Sequence, residues 1–307
     1  MTWYHVDPPT RRQVLAWLVG TGSAMLGPQV RADDPSVLPD HVLIDIHISA
    51  TNAIAHRATV LVPKRAAPGA VLPVLILLHG LGETGSERMG AYAWVERYGL
   101  ASCASRLMHP PVRSVSRQKY LRDDRAEQIN RELAARPFGD LVVVCPYVPN
   151  VYKASSPSGA LDRYADWITR ALLPAVRERA PATSDPRRTG IDGCSLGGFV
   201  AFETFLRHPE HFYTCGGVQS AIGRGAVSSY ASRLEKAVQG GAGHALHLET
   251  SLGDPFHDAN VQLARDLERR GLPVQLRVAP GPHDQPWLRD VGTLEMLLWH
   301  EAQLGGK

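Results

Sequence analysis

The sequence predicts an α/β fold: a mostly parallel central sheet with an antiparallel N-terminal edge and helices on both faces. Short apolar runs alternate with longer helical patterns after residue 40. The runs VLPVLILLHG (71–80) and LVVVCPYVP (141–149) are apolar throughout, which is typical of strands covered on both faces. HVLIDIHISA (41–50) and RATVLVP (57–63) follow each other without a helix between them, so we expect them to form the antiparallel edge.

The remaining elements alternate in the same way towards the C-terminus. Residues 160–180 have helical periodicity, with Tyr164, Trp167 and Leu172 on one face. The pattern beyond them predicts the strand RTGID, a tight turn, a helix to about residue 207, strands at 213–221, 244–254 and 273–281, and helices at 226–239, 260–271 and 287–304.

Composition bounds the size and the partners of this domain. The chain has 307 residues, 44% hydrophobic and 21% charged, which is enough for a large buried core. A net charge of +3 and 7% aromatic residues do not favour a nucleic-acid partner. We therefore expect a single domain over residues 33–307, and the sequence leaves its oligomeric state open.

The first 32 residues resemble an export signal. Thr10-Arg11-Arg12-Gln13-Val14-Leu15 has the twin-arginine pattern, a weakly apolar run extends to Leu26, and Val30 and Ala32 fit the positions before a signal-peptidase cut. The apolar run is shorter than the ~20 residues of a membrane span, so no membrane anchor is expected after cleavage. The alternative is an ordinary amphipathic first helix. The export interpretation predicts a periplasmic or secreted protein.

A long insertion separates two central strands. About sixty residues, 81–140, lie between the runs that end at 80 and begin at 141, well beyond a usual crossover. The stretch SRQKYLRDDRAEQINRELAARP within it alternates in charge and predicts a solvated helix. Such an insertion can cover an active site, or it can be a plain surface excursion.

The stretch IDGCSLGGFV (191–200) places Ser195 between a predicted strand and a predicted helix. A serine at such a turn takes a strained backbone conformation, and glycine at 193 and 197 removes the collisions that side chains two positions away would cause. The helix N-terminus also favours developing negative charge. The pattern therefore indicates that the turn, the elbow, presents the Ser195 hydroxyl as a nucleophile.

Partners for this serine follow at the ends of later strands. His283 in APGPHDQPW is the expected base and Asp254 in SLGDPF the expected acid, because loops at the carboxyl ends of parallel strands meet at one edge. Asp258 in the same loop is the alternative acid. The backbone N–H groups of Leu81 and Leu196 are the expected oxyanion hole, with Gly82 as the second choice for Leu81.

Two further interpretations concern metal and cysteine. The stretch containing His244, His247, Asp254, His257 and Asp258 is rich in possible ligands, but His244 and His247 lie three apart in a strand and face opposite ways. We expect no metal and no cofactor. No Cys-x-x-Cys spacing occurs, and we expect the thiols to behave as small buried hydrophobes, although spacing alone leaves their pairing open: Cys103, Cys145, Cys194 and Cys215.

Residues 41–305 resemble the putative-esterase family of α/β-hydrolases, which includes feruloyl and other carbohydrate esterases, S-formylglutathione hydrolases and mycolyltransferases. The resemblance rests on LILLHGLGETG, RRTGIDGCSLGGFVAFETFLRHPEHF and APGPHDQPW, together with the segments 163–181 and 252–276. It implies an α/β-hydrolase fold with nucleophile Ser195, acid Asp254 and base His283. Asp192 departs from the family, which usually has an apolar residue before the elbow glycine.

The predicted function is that of a serine esterase acting on a small-molecule or carbohydrate-linked ester through an acyl-enzyme. The same three residues would also serve an acyltransferase, a peptidase or a polyester depolymerase. A binding protein without catalysis on the same fold is the alternative from another class.

Overall fold

The computed structural model describes residues 38–49, 53–239 and 243–305, so the predicted export signal at 1–32 lies outside the described residues. An eight-stranded sheet forms the centre, in the order β1-β2-β4-β3-β5-β6-β7-β8. The strands are β1 (His41–His47), β2 (Arg57–Pro63), β3 (Val74–Leu78), β4 (Val142–Pro146), β5 (Thr189–Gly193), β6 (Thr214–Val218), β7 (Ala245–Gly253) and β8 (Val274–Pro282).

Strand pairing agrees with the predicted fold class. The β1–β2 and β2–β4 pairs are antiparallel, and every pair from β4 to β8 is parallel. The antiparallel part lies at the N-terminal edge because β1 and β2 are joined without a crossover helix. The prediction of a mostly parallel sheet with an antiparallel N-terminal edge is confirmed.

Helices cover both faces. They are α1 (Glu87–Ala91), α2 (Ala93–Glu96), α3 (Leu100–Met108), α4 (Asp123–Ala135), α5 (Pro157–Trp167), α6 (Leu173–Arg179), α7 (Leu196–Arg207), α8 (Val227–Gln239), α9 (His257–Arg269), α10 (Gln285–Trp287) and α11 (Thr293–Leu304). A π-helical turn, Ile168–Leu172, joins α5 to α6, and another, Leu288–Gly292, joins α10 to α11.

Two apolar cores follow from the alternation of side chains along β3. Val74, Ile76 and Leu78 pack into one core with residues of α5, α7, α8 and α9. Leu75 and Leu77 pack into the other with residues of α3, α4 and α11. All five β3 side chains are fully buried, as the continuous apolar run predicts for a central parallel strand.

The insertion at 81–140 contains α1 to α4 and is packed onto the body of the domain. The charged stretch forms a helix only over α4, and Ala126, Ile129 and Leu133 on one side of α4 are buried. The predicted solvated helix therefore describes the outer face alone.

One carboxylate holds the segment before α4. The fully buried Asp290 accepts hydrogen bonds from Val115 N (2.7 Å), Leu121 N (3.0 Å) and Ser114 Oγ (2.9 Å). Because Asp290 lies just beyond α10, the insertion is fastened to the chain that follows the last strand.

The thiols agree with the expectation of small buried hydrophobes. All of them are free and buried: Cys103, Cys145, Cys194 and Cys215. Among the described residues, no helix combines the length and apolarity that crossing a membrane requires.

Candidate active site

Ser195 lies between the last residue of β5 and the first of α7, with φ 56° and ψ −117°. A positive φ is uncommon for a residue with a side chain and costs on the order of 1–3 kcal/mol. Hydrogen bonds on both sides hold it: Ser195 N donates to Val218 O (2.9 Å), and Ser195 O accepts from Ala221 N (2.9 Å). Ser195 is half-buried while its neighbours Cys194 and Leu196 are buried, so its side chain is the accessible one at this turn.

The two glycines around Ser195 have no space for a side chain. A Cβ on Gly193 would stand 2.5 Å from the carbonyl of Gly197, and a Cβ on Gly197 would overlap the carbonyl oxygen of Leu78. The turn is thus pressed against β3, and glycine at both positions is what allows that approach.

His283 and Asp254 directly follow the adjacent parallel strands β8 and β7, and His283 Nδ1 hydrogen-bonds to Asp254 Oδ1 at 2.9 Å. The Asp254 carboxylate also accepts from Thr250 Oγ1 (2.6 Å) and from Phe256 N (3.0 Å). Its side chain is 0% exposed, whereas that of His283 is 28% exposed. A buried, fully bonded carboxylate thus orients an imidazole that solvent can reach.

Asp258, the alternative acid, takes a different position. It lies in the first turn of α9, its side chain is 60% exposed, and it pairs with Arg224. The structure therefore brings Asp254 to His283 and leaves Asp258 at the surface.

A hydrogen-bonded residue that the sequence did not suggest connects these strand ends. Gln219 directly follows β6 and has a φ of 49°. Its Nε2 donates to Ser251 Oγ (2.7 Å) and to Pro282 O (3.0 Å), the carbonyl before His283. Since Ser195 N is bonded to Val218 O, the chain segments carrying Ser195 and His283 are joined through the end of β6.

The backbone N–H groups expected to form the oxyanion hole belong to the first residues of two helical segments near Ser195. Leu196 is the first residue of α7, where an N–H has no acceptor inside the helix. Leu81 begins a 3₁₀ turn, Leu81–Glu83, after β3. The residue before it, Gly80, lies so close that a Cβ there would be 3.7 Å from Ser195 Cβ.

His79 fixes the loop that carries Leu81. Its Nε2 accepts a hydrogen bond from Val148 N (2.8 Å), so its proton is on Nδ1, which donates to Gly80 O (2.8 Å). The side chain is fully buried, and burial lowers the pKa of His79 to about 4. A neutral imidazole of one tautomer therefore orients the Gly80 carbonyl.

A second carboxylate–histidine group, which we call the buried cluster, consists of Asp192, His247 and His300. Asp192 Oδ2 accepts from His247 Nδ1 (3.1 Å) and from His300 Nε2 (2.8 Å), and all three side chains are 0% exposed. Among the described residues it is also the one group of three side chains with the spacing of metal ligands, although its nitrogen–oxygen distances are those of hydrogen bonds.

The residues of the His- and Asp-rich stretch considered above as possible metal ligands do not lie together in the fold. The His244 ring packs on Phe205 of α7, and the His247 ring stacks on Trp299 of α11, on the other face of the sheet. The spacing argument for opposite faces is therefore confirmed. Trp287, which follows His283, is fully buried, and its Nε1 donates to Pro280 O (3.1 Å), so it is a packing residue.

Comparison with known proteins identifies the family that this chain resembles. Residues 140–284, which include Ser195, Asp254 and His283, match the family described as Putative esterase. The resemblance expected from the sequence is confirmed, and fold and family together define the chain as a carboxylic-ester hydrolase of the α/β-hydrolase fold. A sequence search of curated proteins finds no match.

Solved structures share the fold. A ferulic acid esterase aligns with a TM-score of 0.61 at 18% identity, covering 86% of this chain and 98% of the other. An S-formylglutathione hydrolase from Staphylococcus aureus gives 0.56 at 19% identity, with 85% and 98% covered. A ferulic acid esterase from Anaeromyces mucronatus gives 0.60 at 13% identity, with 91% and 96% covered. At these identities the likeness establishes the architecture.

Proposed function

We propose that the chain hydrolyses esters with Ser195 as nucleophile, His283 as general base and Asp254 as the acid that orients it. The observation that carries the proposal is the 2.9 Å hydrogen bond between His283 Nδ1 and Asp254 Oδ1, formed at the strand ends that share an edge of the sheet with the strained Ser195. With Nδ1 bonded to Asp254, Nε2 of His283 is the nitrogen left to take a proton.

The proposed reaction has two halves. His283 Nε2 takes the hydroxyl proton as Ser195 Oγ attacks the ester carbonyl, and the amides of Leu81 and Leu196 hold the resulting oxyanion. The imidazolium returns the proton to the leaving alcohol, which gives an acyl-enzyme. Water then attacks that acyl group with His283 again as base, which releases the acid and restores the serine.

The proposed substrates are small-molecule or carbohydrate-linked esters. Neighbours of the same fold include a ferulic acid esterase solved in complex with ferulic acid and an enterobactin esterase from Shigella flexneri. Their names motivate the choice of test compounds.

A fluorophosphonate probe tests the nucleophile. It should label the wild type and the control Ser220→Ala, a buried serine just past β6, and fail to label Ser195→Ala. Labelling that persists in Ser195→Ala contradicts the assignment. A panel of p-nitrophenyl esters of rising chain length, a feruloyl ester, an acetylated sugar and a peptide then defines the bond cleaved. If the probe labels the protein but no ester is hydrolysed, the result would favour an acyltransferase or a peptidase. If the protein is neither labelled nor active, the result would favour a binding protein.

We also propose that residues 1–32 direct export by the twin-arginine route. The double change Arg11→Lys and Arg12→Lys should keep the protein in the cytoplasm of a bacterial host, whereas Arg31→Lys, outside the motif, should leave export intact. Equal export of both variants would contradict the route.

A further inference from the structure

Side chains from four elements of the fold form one hydrogen-bonded group around the Asp192 carboxylate, just before the elbow. Asp192 belongs to β5, His247 to β7 and His300 to α11, and His300 Nδ1 accepts from Thr214 Oγ1 of β6 at 2.9 Å. We propose that Asp192, held by His247 and His300, is a positioning residue that fixes the backbone from which Ser195 is presented. This inference rests on the proposed function of Ser195.

The hydrogen bonds assign a definite proton arrangement to the cluster. The ionised Asp192 carboxylate can only accept, so the proton of His300 is on Nε2, which donates to Asp192, and Nδ1 of the neutral ring accepts from the Thr214 hydroxyl. His247 donates from Nδ1. Burial lowers the pKa of His300, which keeps that ring neutral. Both imidazoles therefore act as directed N–H donors to one carboxylate oxygen.

The buried carboxylate is held in its ionised form. Burial alone would raise the pKa of Asp192, but the hydrogen bonds from His247 and His300 outweigh it, so the pKa lies below its ordinary value. Removing one donor leaves a charged oxygen with an empty bonding position and no water to fill it, because all three side chains are 0% exposed.

The second oxygen of Asp192 connects the cluster to the elbow. Asp192 Oδ1 accepts from Gly193 N at 2.6 Å, the amide of the peptide two residues before Ser195. That peptide cannot move freely, since a Cβ on Gly193 would already stand 2.5 Å from Gly197. A shift of the Asp192 side chain is therefore transmitted to Gly193 and from there to the turn. A misplacement of about 1 Å at a reacting group is enough to cost roughly 100-fold in rate.

Two substitutions at one position separate the hydrogen bond from the space that the ring fills. His300→Gln can place an amide N–H where Nε2 stands, whereas His300→Leu fills a similar volume without a donor. With a p-nitrophenyl ester, we expect His300→Leu to lower kcat roughly ten- to hundredfold with KM unchanged, and His300→Gln to restore most of that loss. The proposal is overturned if both variants have the same kcat, if His300→Leu keeps the wild-type kcat, or if KM rises in step.

Asp192→Asn provides the second test, which applies also where His300→Leu does not fold. It keeps the shape of the side chain but replaces one carboxylate oxygen with an NH2 group, so the side chain can no longer accept both from Gly193 N and from the two histidines. We expect the same fall in kcat and a slower fluorophosphonate labelling of Ser195, again with KM unchanged; an unchanged labelling rate would contradict the proposal.

A matched control removes a buried charge elsewhere. Glu203 of α7 is buried and paired with Arg233 (2.7 Å) on the opposite face of the sheet, so Glu203→Gln should lose stability and keep kcat. If Glu203→Gln lowers kcat as much as Asp192→Asn does, the effect is one of general destabilisation and the inference fails.

Failure of the inference is distinct from failure of the proposed function. If Ser195→Ala abolishes turnover while the Asp192 and His300 variants keep kcat, only the positioning role is wrong. If Ser195→Ala keeps turnover, the proposed function itself is wrong.

Discussion

The molecule contains two carboxylate–histidine groups whose hydrogen bonds are nearly equal in length. One lies at the edge of the sheet and the other is buried inside the domain. At the rim, Asp254 and His283 are joined at 2.9 Å, and the imidazole is 28% exposed. Inside the sheet, Asp192 is joined to His247 at 3.1 Å and to His300 at 2.8 Å, and no side chain of the three is exposed.

Access to substrate separates the two groups. The rim imidazole has one nitrogen bound to a carboxylate and is reached by solvent, as acid–base chemistry requires. In the buried cluster, the nitrogens of His300 are both engaged by protein groups. In our proposals, the same pair of side chain types serves proton transfer at the rim and placement of the backbone in the interior.

The largest expected effect concerns the rim carboxylate. Asp254→Asn should lower kcat by about 10⁴-fold, because the amide favours the wrong tautomer of His283. Steady-state ester hydrolysis measures this. Asp258→Asn is the control, and we expect it to stay within about twofold, since Asp258 is paired at the exposed surface. The reverse ranking would transfer the role of acid to Asp258.

The second prediction compares the stability of the two groups. Asp192→Asn should lower the free energy of unfolding by about 3 kcal/mol, because His247 and His300 have no water to bond to instead. Asp254→Asn should cost less, about 1 kcal/mol, since His283 can turn to solvent. Urea denaturation of both variants measures the two free energies of unfolding. Equal losses would contradict the prediction that the buried group contributes more to stability than the rim group.

The third prediction concerns the pH dependence of stability that the buried imidazole of His79 causes. The pKa of His79 is lowered to about 4 from 6.5, so the unfolded chain binds that proton more readily. His79 therefore contributes stability above pH 6.5 and loses it as the pH falls towards 4, by about 3 kcal/mol in total. The stability difference between wild type and His79→Gln, from urea denaturation at pH 7 and pH 4, should narrow by that amount. A constant difference would show that His79 does not titrate in this window.

The smallest effect is expected behind the rim carboxylate. Thr250→Val keeps the shape of the side chain and removes the 2.6 Å hydrogen bond to Asp254 Oδ2. We expect kcat/KM to fall about tenfold, which is about 1.4 kcal/mol, at the lower end for a bond to a charged acceptor. An unchanged kcat/KM would mean that His283 and Phe256 N alone hold the carboxylate.

The fold was largely predictable because its signals are local. Apolar runs mark the buried parallel strands, and the sequence order places the residues after β5, β7 and β8 at one edge without further information. Strand limits were less accurate: the run at 71–80 forms a strand only over Val74–Leu78. The pair Asp254–His283 was predicted because both residues directly follow strands.

The buried cluster could not be predicted, because its contacts are remote along the chain. His300 lies 108 residues from Asp192, in a helix whose sequence gives no sign of a polar partner. The one available signal was Asp192 itself, the single charged residue of the strand before the elbow. Such a residue in a central strand must find buried donors, but only the fold determines which ones.

The attachment of the insertion limits how this enzyme can be recombined. Asp290 binds the backbone of Val115 and Leu121 from a position seven residues beyond His283. A chimera that exchanges residues 81–140 for the corresponding loop of a relative would leave the buried Asp290 carboxylate without these hydrogen-bond donors, close in sequence to His283. A successful chimera will therefore have to exchange two segments that are distant in sequence, the insertion and the segment after β8, at the same time.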